Sequence, residues 1–133
     1  PAWGVDEVFG AAQADEARWG HAVVAPGGVI YVLPLSANSV LRIDPNSDEV
    51  RSLGNLGGRK PKWVHGVLAK TGAIYGVPYS ATSVLKISPF LGGSVETISN
   101  LGDGVLKWAY SALAPSGSIY GIPCYASSTL KID

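Results

Sequence analysis

The sequence predicts an all-β fold: a β-propeller of four-stranded antiparallel blades, with three blades in the chain. Three observations lead to this prediction. A segment of 27 residues occurs three times without a gap, at 18–44, 62–88 and 107–133. Each copy alternates apolar runs with Gly, Pro and polar residues, which is the punctuation of short strands. The copies recur after 44 and then 45 residues, the length of one propeller blade.

The middle copy shows how one blade is divided into strands. An apolar run at 63–69 predicts an inner strand buried on both faces. A Lys-Thr-Gly turn leads to a second strand at 73–77, which Pro78 ends because proline cannot donate a ladder hydrogen bond. An alternating third strand follows at 83–87 and a more polar fourth strand at 95–99. The only helix-like patch of the chain, at 10–18, is too short to suggest a helical repeat.

Composition excludes several classes of protein. Of the 133 residues 47% are hydrophobic, so the chain can bury a core. Ten basic and ten acidic residues give no net charge, which argues against a nucleic-acid partner or a polybasic membrane binder. No apolar run approaches the ~18 residues of a membrane span. The single cysteine, Cys124, excludes an intramolecular disulfide and a Cys-rich zinc site, and its alignment with Leu35 and Tyr79 predicts a buried or half-buried filler.

The repeat units predict how the blades meet. We expect units at about 18–61, 62–106 and 107–133, the last completed by 1–17 of a neighbouring chain. The alignment places 5–11 as the missing fourth strand, and an uncovered sheet edge favours such strand exchange. Three blades are too few for a closed ring, since propellers have about 4 to 8. A head-to-tail homodimer gives six blades and is therefore favoured over a homotrimer with nine.

The repeat also resembles known propeller families. The pattern W-x-x-x-V-L-A-x-x-G-x-I-Y-x-x-P-x-x-A-x-S-V-L-x-I resembles propeller proteins with KW…LAP.G.IYGIP units. It is more distantly similar to the NHL and streptogramin-lyase-like propellers. The closeness of the three units also suggests a designed or fragment-derived protein. The resemblance implies a fold and says little about function.

The resemblance implies where a ligand would lie. In such propellers the loop entering the inner strand and the loop joining strands two and three lie on one face. A cation beside an aromatic ring on that face suits a sugar or an anion. The alternative is that each Trp packs between blades and that the polar turns bond to their own backbone. The candidates on the ligand face are Arg18, Trp19, His21, Lys62, Trp63, His65, Lys107, Trp108, Tyr110, Asn38, Thr82 and Ser127.

Two histidines and a tyrosine share one repeat position. His21, His65 and Tyr110 follow the Trp by two residues, which by simple alternation predicts the same face of strand one. Two histidines without a carboxylate in the repeat are a weak metal signal, so no metal site and no cofactor are predicted.

Catalytic motifs are not evident. The chain has no G-x-S-x-G, H-E-x-x-H or P-loop pattern. Lactonase-like propellers need acidic side chains in the channel, whereas we expect the acidic residues here at the outer turn between strands three and four. These are Asp6, Glu7, Asp44, Asp48, Glu49 and Asp133.

The sequence therefore predicts a non-enzymatic, self-assembling propeller that acts as a scaffold or interaction module, with itself as partner. A carbohydrate- or small-ligand-binding propeller is the first alternative. A lactonase- or lyase-like propeller enzyme is the second.

Overall fold

The structure, a computed structural model, describes residues 4–5, 18–58 and 60–133. These residues form β-strands and one short 3-10 turn, Phe90–Gly92, which lies between β7 and β8. The strands are β1 Trp19–Val24, β2 Ile30–Pro34, β3 Val40–Asp44, β4 Glu49–Leu53, β5 Trp63–Leu68, β6 Ile74–Pro78, β7 Ser83–Ser88, β8 Ser94–Asn100, β9 Trp108–Leu113, β10 Ile119–Pro123 and β11 Leu130–Ile132. None of the described residues belongs to a helix long and apolar enough to cross a membrane.

The strands form three antiparallel sheets, which are the predicted blades. Blade 1 has the order β1-β2-β3-β4, blade 2 the order β5-β6-β7-β8, and blade 3 has three strands in the order β11-β10-β9. The observed strands of blade 2 agree with the predicted bounds within one residue. The prediction that its inner strand is buried on both faces is wrong: in β5 only Trp63 and Gly66 are buried and the rest are half-buried.

One glycine turn is repeated in all three blades between strands one and two. Gly28, Gly72 and Gly117 have φ of 96°, 93° and 99°, a left-handed conformation that favours glycine. Each N–H donates to the carbonyl three residues earlier, at 3.0, 3.0 and 2.9 Å. The same turn chemistry therefore fixes the same hairpin three times.

Each inner strand carries a β-bulge just after its tryptophan. The register between β5 and β6 shifts between Trp63 and Gly66, and equivalent shifts occur in the other two blades. A bulge breaks the alternation of side chains, so the expectation that Trp and the residue two positions later share a face is wrong. Trp108 is 6% exposed whereas Tyr110 is 63% exposed.

Neighbouring blades interlock through a large side chain and a pair of glycines. Leu33 of blade 1 lies 2.8 Å from where a Cβ on Gly66 of blade 2 would be, and 3.5 Å from one on Gly76. Val77 of blade 2 lies 3.2 Å from the equivalent point on Gly121 of blade 3. We call the blade surface that carries Leu33 or Val77 the trailing face and the glycine-bearing surface of the next blade the leading face.

Candidate functional site

The structure places the loop entering each inner strand beside the loop that joins strands two and three. The carbonyl of Lys62 accepts the N–H of Tyr79 at 2.9 Å and that of Ala81 at 3.3 Å. The carbonyls of Arg18 and Lys107 accept the equivalent two N–H groups in their own blades. These backbone bonds bring together the two stretches in which the sequence predicts ligand-binding residues.

The ammonium group of Lys107 is buried in a set of backbone carbonyls. Its Nζ donates to Ala81 O at 2.7 Å, Gly102 O at 3.2 Å and Gly104 O at 2.5 Å, and the residue is 6% exposed. Burial lowers the pKa of Lys107, the charge on Lys60 lowers it further, and Asp103 opposes the shift. The side chain therefore ties blade 2 to the loop before blade 3.

Lys62 occupies the same repeat position but has a different environment. It is 3% exposed, and its Nζ donates to Gly58 O at 2.5 Å. Burial and the neighbouring Lys60 lower the pKa of Lys62 to about 8. Lys60 and Lys62 both line a cavity of about 290 Å³. The other polar residues that line it are Asn55, Thr82, Ser83 and Thr97.

The tryptophans of blades 2 and 3 link the start of strand one to the start of strand three in the same blade. The indole N–H groups of Trp63 and Trp108 donate to the carbonyls of Ser83 and Ser128, each at 2.8 Å and 20 residues away. Both residues are buried, whereas Trp19 is half-buried. The indoles of blades 2 and 3 therefore pack within the protein, and Trp63 also lines the cavity.

The three candidates in the strand two–three turns differ in their surroundings. Asn38 and Ser127 are exposed, and Thr82 is half-buried and lines the cavity. The carbonyls of Asn38 and Thr82 accept the N–H of Leu56 and Leu101 at 2.6 and 2.7 Å. Their backbones therefore hold the loop that leads to the next blade.

His21, His65 and Tyr110 form a row across the three inner strands, where β1 contacts β5 and β5 contacts β9. The two imidazoles stack with ring centroids 4.1 Å apart and planes 8° from parallel. Tyr110 meets His65 edge-on, with centroids 5.7 Å apart. The row continues from blade to blade, which the common repeat position predicts.

Hydrogen bonds define the protonation of these rings. His21 Nδ1 lies 2.9 Å from Gly66 O, so that nitrogen carries a proton and donates it. His65 Nδ1 accepts the backbone N–H of Ser111 at 3.1 Å and lies 2.7 Å from Ser111 Oγ. An acceptor nitrogen requires the neutral ring. Burial and the charge on His21 correspondingly lower the pKa of His65.

Acidic side chains lie away from this row. Asp44 ends β3, Glu49 begins β4, and Asp48 lies in the turn between them, as the sequence predicts. Asp133 bonds to Ser118 Oγ at 2.5 Å. Asp6 and Glu7 lie outside the described residues. Among the residues that the structure describes, no three His, Cys, Asp or Glu side chains are grouped to hold a metal ion.

Two features escaped the sequence analysis. Lys60 was not a candidate, although it lines the cavity with Lys62. The signal was the sequence of the loop before β5, which has Arg59 and Lys60 where the loop before β9 has Gly104 and Val105. Cys124 was expected to be buried or half-buried and is exposed, whereas Leu35 and Tyr79 are half-buried. The reason is that no blade covers the trailing face of blade 3 within the described chain.

Known structures with similar backbones establish the fold. Virginiamycin B lyase from Staphylococcus aureus is 8% identical with a TM-score of 0.66, over 86% of this chain and 38% of that one. A streptogramin B lyase is 15% identical with a TM-score of 0.64, over 96% and 44%. The hydrazine synthase of Kuenenia stuttgartiensis is 18% identical with a TM-score of 0.64, over 98% and 36%. The fold is that of β-propeller blades.

The likeness to streptogramin lyases agrees with the distant resemblance seen in the repeat. This chain spans less than half the length of each of these structures. No family model matches the chain. No curated protein matches it either.

Proposed function

We propose that this chain is a self-assembling propeller module whose blade 3 packs on blade 1 of a second copy. The observation that carries the proposal is the exposure of one repeat position. Leu33 and Val77 are 0% exposed because the next blade covers them, whereas Ile122 at the same position is 43% exposed. A large apolar side chain that is covered in two blades and open in the third supports a partner that covers the third.

Two further positions of the repeat show the same difference. Val40 and Val84 are buried, at 0% and 2%, whereas Thr129 is exposed. Pro34 and Pro78 are fully buried and Pro123 is exposed. Because the three blades have nearly the same sequence here, the presence of a neighbouring blade accounts for the difference.

A second copy is the occupant that fits this surface. Within the chain, the leading face that covers Leu33 belongs to blade 2 and carries Ile74, Gly76, Leu85 and Ile87. Blade 1 carries equivalent apolar residues, which are Ile30, Val32, Leu41 and Ile43. In the single chain Val32 and Leu41 are 9% and 8% exposed and Ile30 and Ile43 are half-buried, so this face is less open than the trailing face of blade 3. Head-to-tail contacts between identical chains close when the rotation permits, and two chains give a six-bladed ring.

The open edge of blade 3 supports strand exchange between the copies. Strand β11 pairs with β10 and has no partner among the described residues on its other side. A cavity of about 310 Å³ lies beside it, between Tyr75 of blade 2 and Ile119 of blade 3. At the equivalent place between blades 1 and 2 the chain itself packs: Gly93 lies against the Tyr31 hydroxyl, and Tyr31 is 0% exposed.

The segment that the alignment assigns to this edge is 5–11 of the second copy. Apart from Val5, which is 94% exposed, this segment lies outside the described residues. Replacement of 5–11 by a Gly/Ser segment of the same length is therefore expected to weaken the assembly.

The test is the mass of the native particle, measured for the wild-type chain and two variants. We expect twice the chain mass for the wild type and the single-chain mass for Ile122→Asp, because a carboxylate buried between blades is costly. Leu91→Asp is the matched control, since Leu91 is 106% exposed on an outer turn and its variant is expected to stay dimeric. A wild-type chain that remains a single folded copy at all concentrations contradicts the proposal.

A lyase-type propeller enzyme is the second candidate. The exposed His21 and Tyr110, in a row with His65, favour it because the streptogramin lyases have a similar backbone. The test is consumption of virginiamycin B by the purified chain, followed by chromatography. Turnover is expected to disappear in His21→Ala and to persist in Lys70→Ala. Lys70 serves as the control because both histidines of the chain belong to the row. Absence of turnover removes this candidate.

A further inference from the structure

We propose that the cavity between the loop before β5 and blade 2 binds a phosphate group, either free or attached to a small organic molecule. Its lining combines two lysine ammonium groups with hydroxyl and amide donors, from Lys60, Lys62, Asn55, Thr82, Ser83 and Thr97. No carboxylate is among the described residues that line it. Ammonium groups and hydroxyls are the side-chain donors that bind oxyanions.

The repeat supplies an internal reference for Lys62. Lys107, at the same position one blade later, donates to three carbonyls, which matches the three N–H bonds of an ammonium group. Among the described residues Lys62 Nζ donates to one carbonyl, Gly58 O. As far as the described residues are concerned, Lys62 thus has N–H bonds available beside the cavity, whereas the three N–H bonds of Lys107 are matched by three carbonyls.

The charges around the two lysines also favour an anion beside Lys62 rather than beside Lys107. Asp103, which aligns with Gly58, acts favourably on the charge of Lys107. The first junction has Gly58 in place of this carboxylate, and its sequence has two further cations, Arg59 and Lys60, where the later junction has Gly104 and Val105. Lys60 opposes the charge on Lys62. A bound anion would reverse this repulsion, because it attracts both ammonium groups.

The size of the cavity fits a ligand larger than a bare ion. About 290 Å³ accommodates a phosphate together with a few carbon atoms. The hydroxyl-bearing residues Thr82, Ser83 and Thr97 come from two strands and the turn of blade 2, opposite the lysines of the preceding loop. The ligand would therefore bridge the blade 1 connection and blade 2.

The experiment measures binding to the intact chain by NMR chemical-shift titration at constant ionic strength. The probes are inorganic phosphate, glycerol 3-phosphate and glycerol. We expect saturable shifts at Ser83 and Thr97 with both phosphates and none with glycerol. A tighter complex with glycerol 3-phosphate identifies an organic phosphate as the ligand, and equal or tighter binding of inorganic phosphate identifies the free ion.

Variants of the exposed Lys60 keep the test independent of folding. Lys60→Gln and Lys60→Val, the second copying Val105, are expected to weaken phosphate binding by about tenfold or more. Lys70→Gln is the matched control, because Lys70 is an exposed lysine on the strand one–two turn. The absence of saturable shifts, equal weakening in Lys70→Gln, or binding of glycerol alone would each overturn the proposal.

Discussion

At the residue scale, the two lysines show how far a repeat position determines a role. The sequence places Lys62 and Lys107 next to a tryptophan and suggests a ligand-binding cation. Which carbonyls surround each ammonium depends on the loops at 54–61 and 99–106, which differ in the residues next to Gly58 and Asp103. The repeat pattern therefore predicts which part of the blade each lysine lies in. The hydrogen-bond partners of each ammonium group depend on the conformation of the preceding loop, which the repeat pattern does not predict.

His65 gives the prediction at this scale. Its pKa in the folded chain lies below the ordinary value of about 6.5, so below about pH 6.5 the unfolded chain takes up a proton that the folded chain does not. Stability is therefore fully present at higher pH and falls as the pH drops below that value. In His65→Asn the amide oxygen can still accept the Ser111 N–H, but the side chain takes up no proton in this range. The loss of stability at low pH is therefore expected to be smaller in this variant.

The measurement is the thermal midpoint between about pH 7.5 and 5 for both proteins. The Asp133 carboxyl, whose pKa is lowered mainly by Ser118, belongs to a more acidic range. Parallel curves for wild type and His65→Asn would contradict the role of His65.

At the element scale, strands were predictable and their irregularities were not. Alternation and turn residues locate β5 to β8 closely, because hydrophobic periodicity and the glycine turns are local properties. The bulge between Trp63 and Gly66 depends on how β5 pairs with β6. Simple alternation along the sequence does not include the bulge, so it predicts the wrong face for the residues that follow Trp63.

The glycines of blade 2 give the prediction at this scale. A Cβ on Gly66 would lie 2.7 Å from Tyr75 O and 2.8 Å from Leu33 Cδ1, whereas a Cβ on Gly76 has no neighbour closer than 3.4 Å. Gly66→Ala is therefore expected to lower the free energy of unfolding by about 1–3 kcal/mol through overpacking. Gly76→Ala is the control, with a smaller change expected. Chemical denaturation of both variants measures the difference, and equal losses would count against this packing.

At the scale of the whole molecule, the number of blades was predictable from the 44- and 45-residue spacing. The same spacing favours a homodimer of six blades over a homotrimer of nine, but which assembly forms depends on how the blades pack and stays a prediction. The exposure of Ile122 is a property of packing that no local pattern contains.

A closed pair of chains has a concentration dependence that a single copy lacks. If blade 3 is covered by a second chain, the thermal midpoint is expected to rise with chain concentration, because association stabilises the folded state by mass action. Ile122→Asp is expected to remove this dependence. Calorimetry at micromolar chain concentrations that span about a hundredfold range measures this dependence of the thermal midpoint. A midpoint that stays constant in the wild type would argue against assembly.

The glycine-lined leading face of blade 2 limits how the repeats can be exchanged. Blade 1 has Ala22 and Val32 where blade 2 has Gly66 and Gly76. A chain in which a copy of blade 1 replaced blade 2 would set Ala against Leu33 at the tightest point of the junction. The three units are thus alike in sequence but not interchangeable as modules, and their order along the chain is part of the information that specifies the fold.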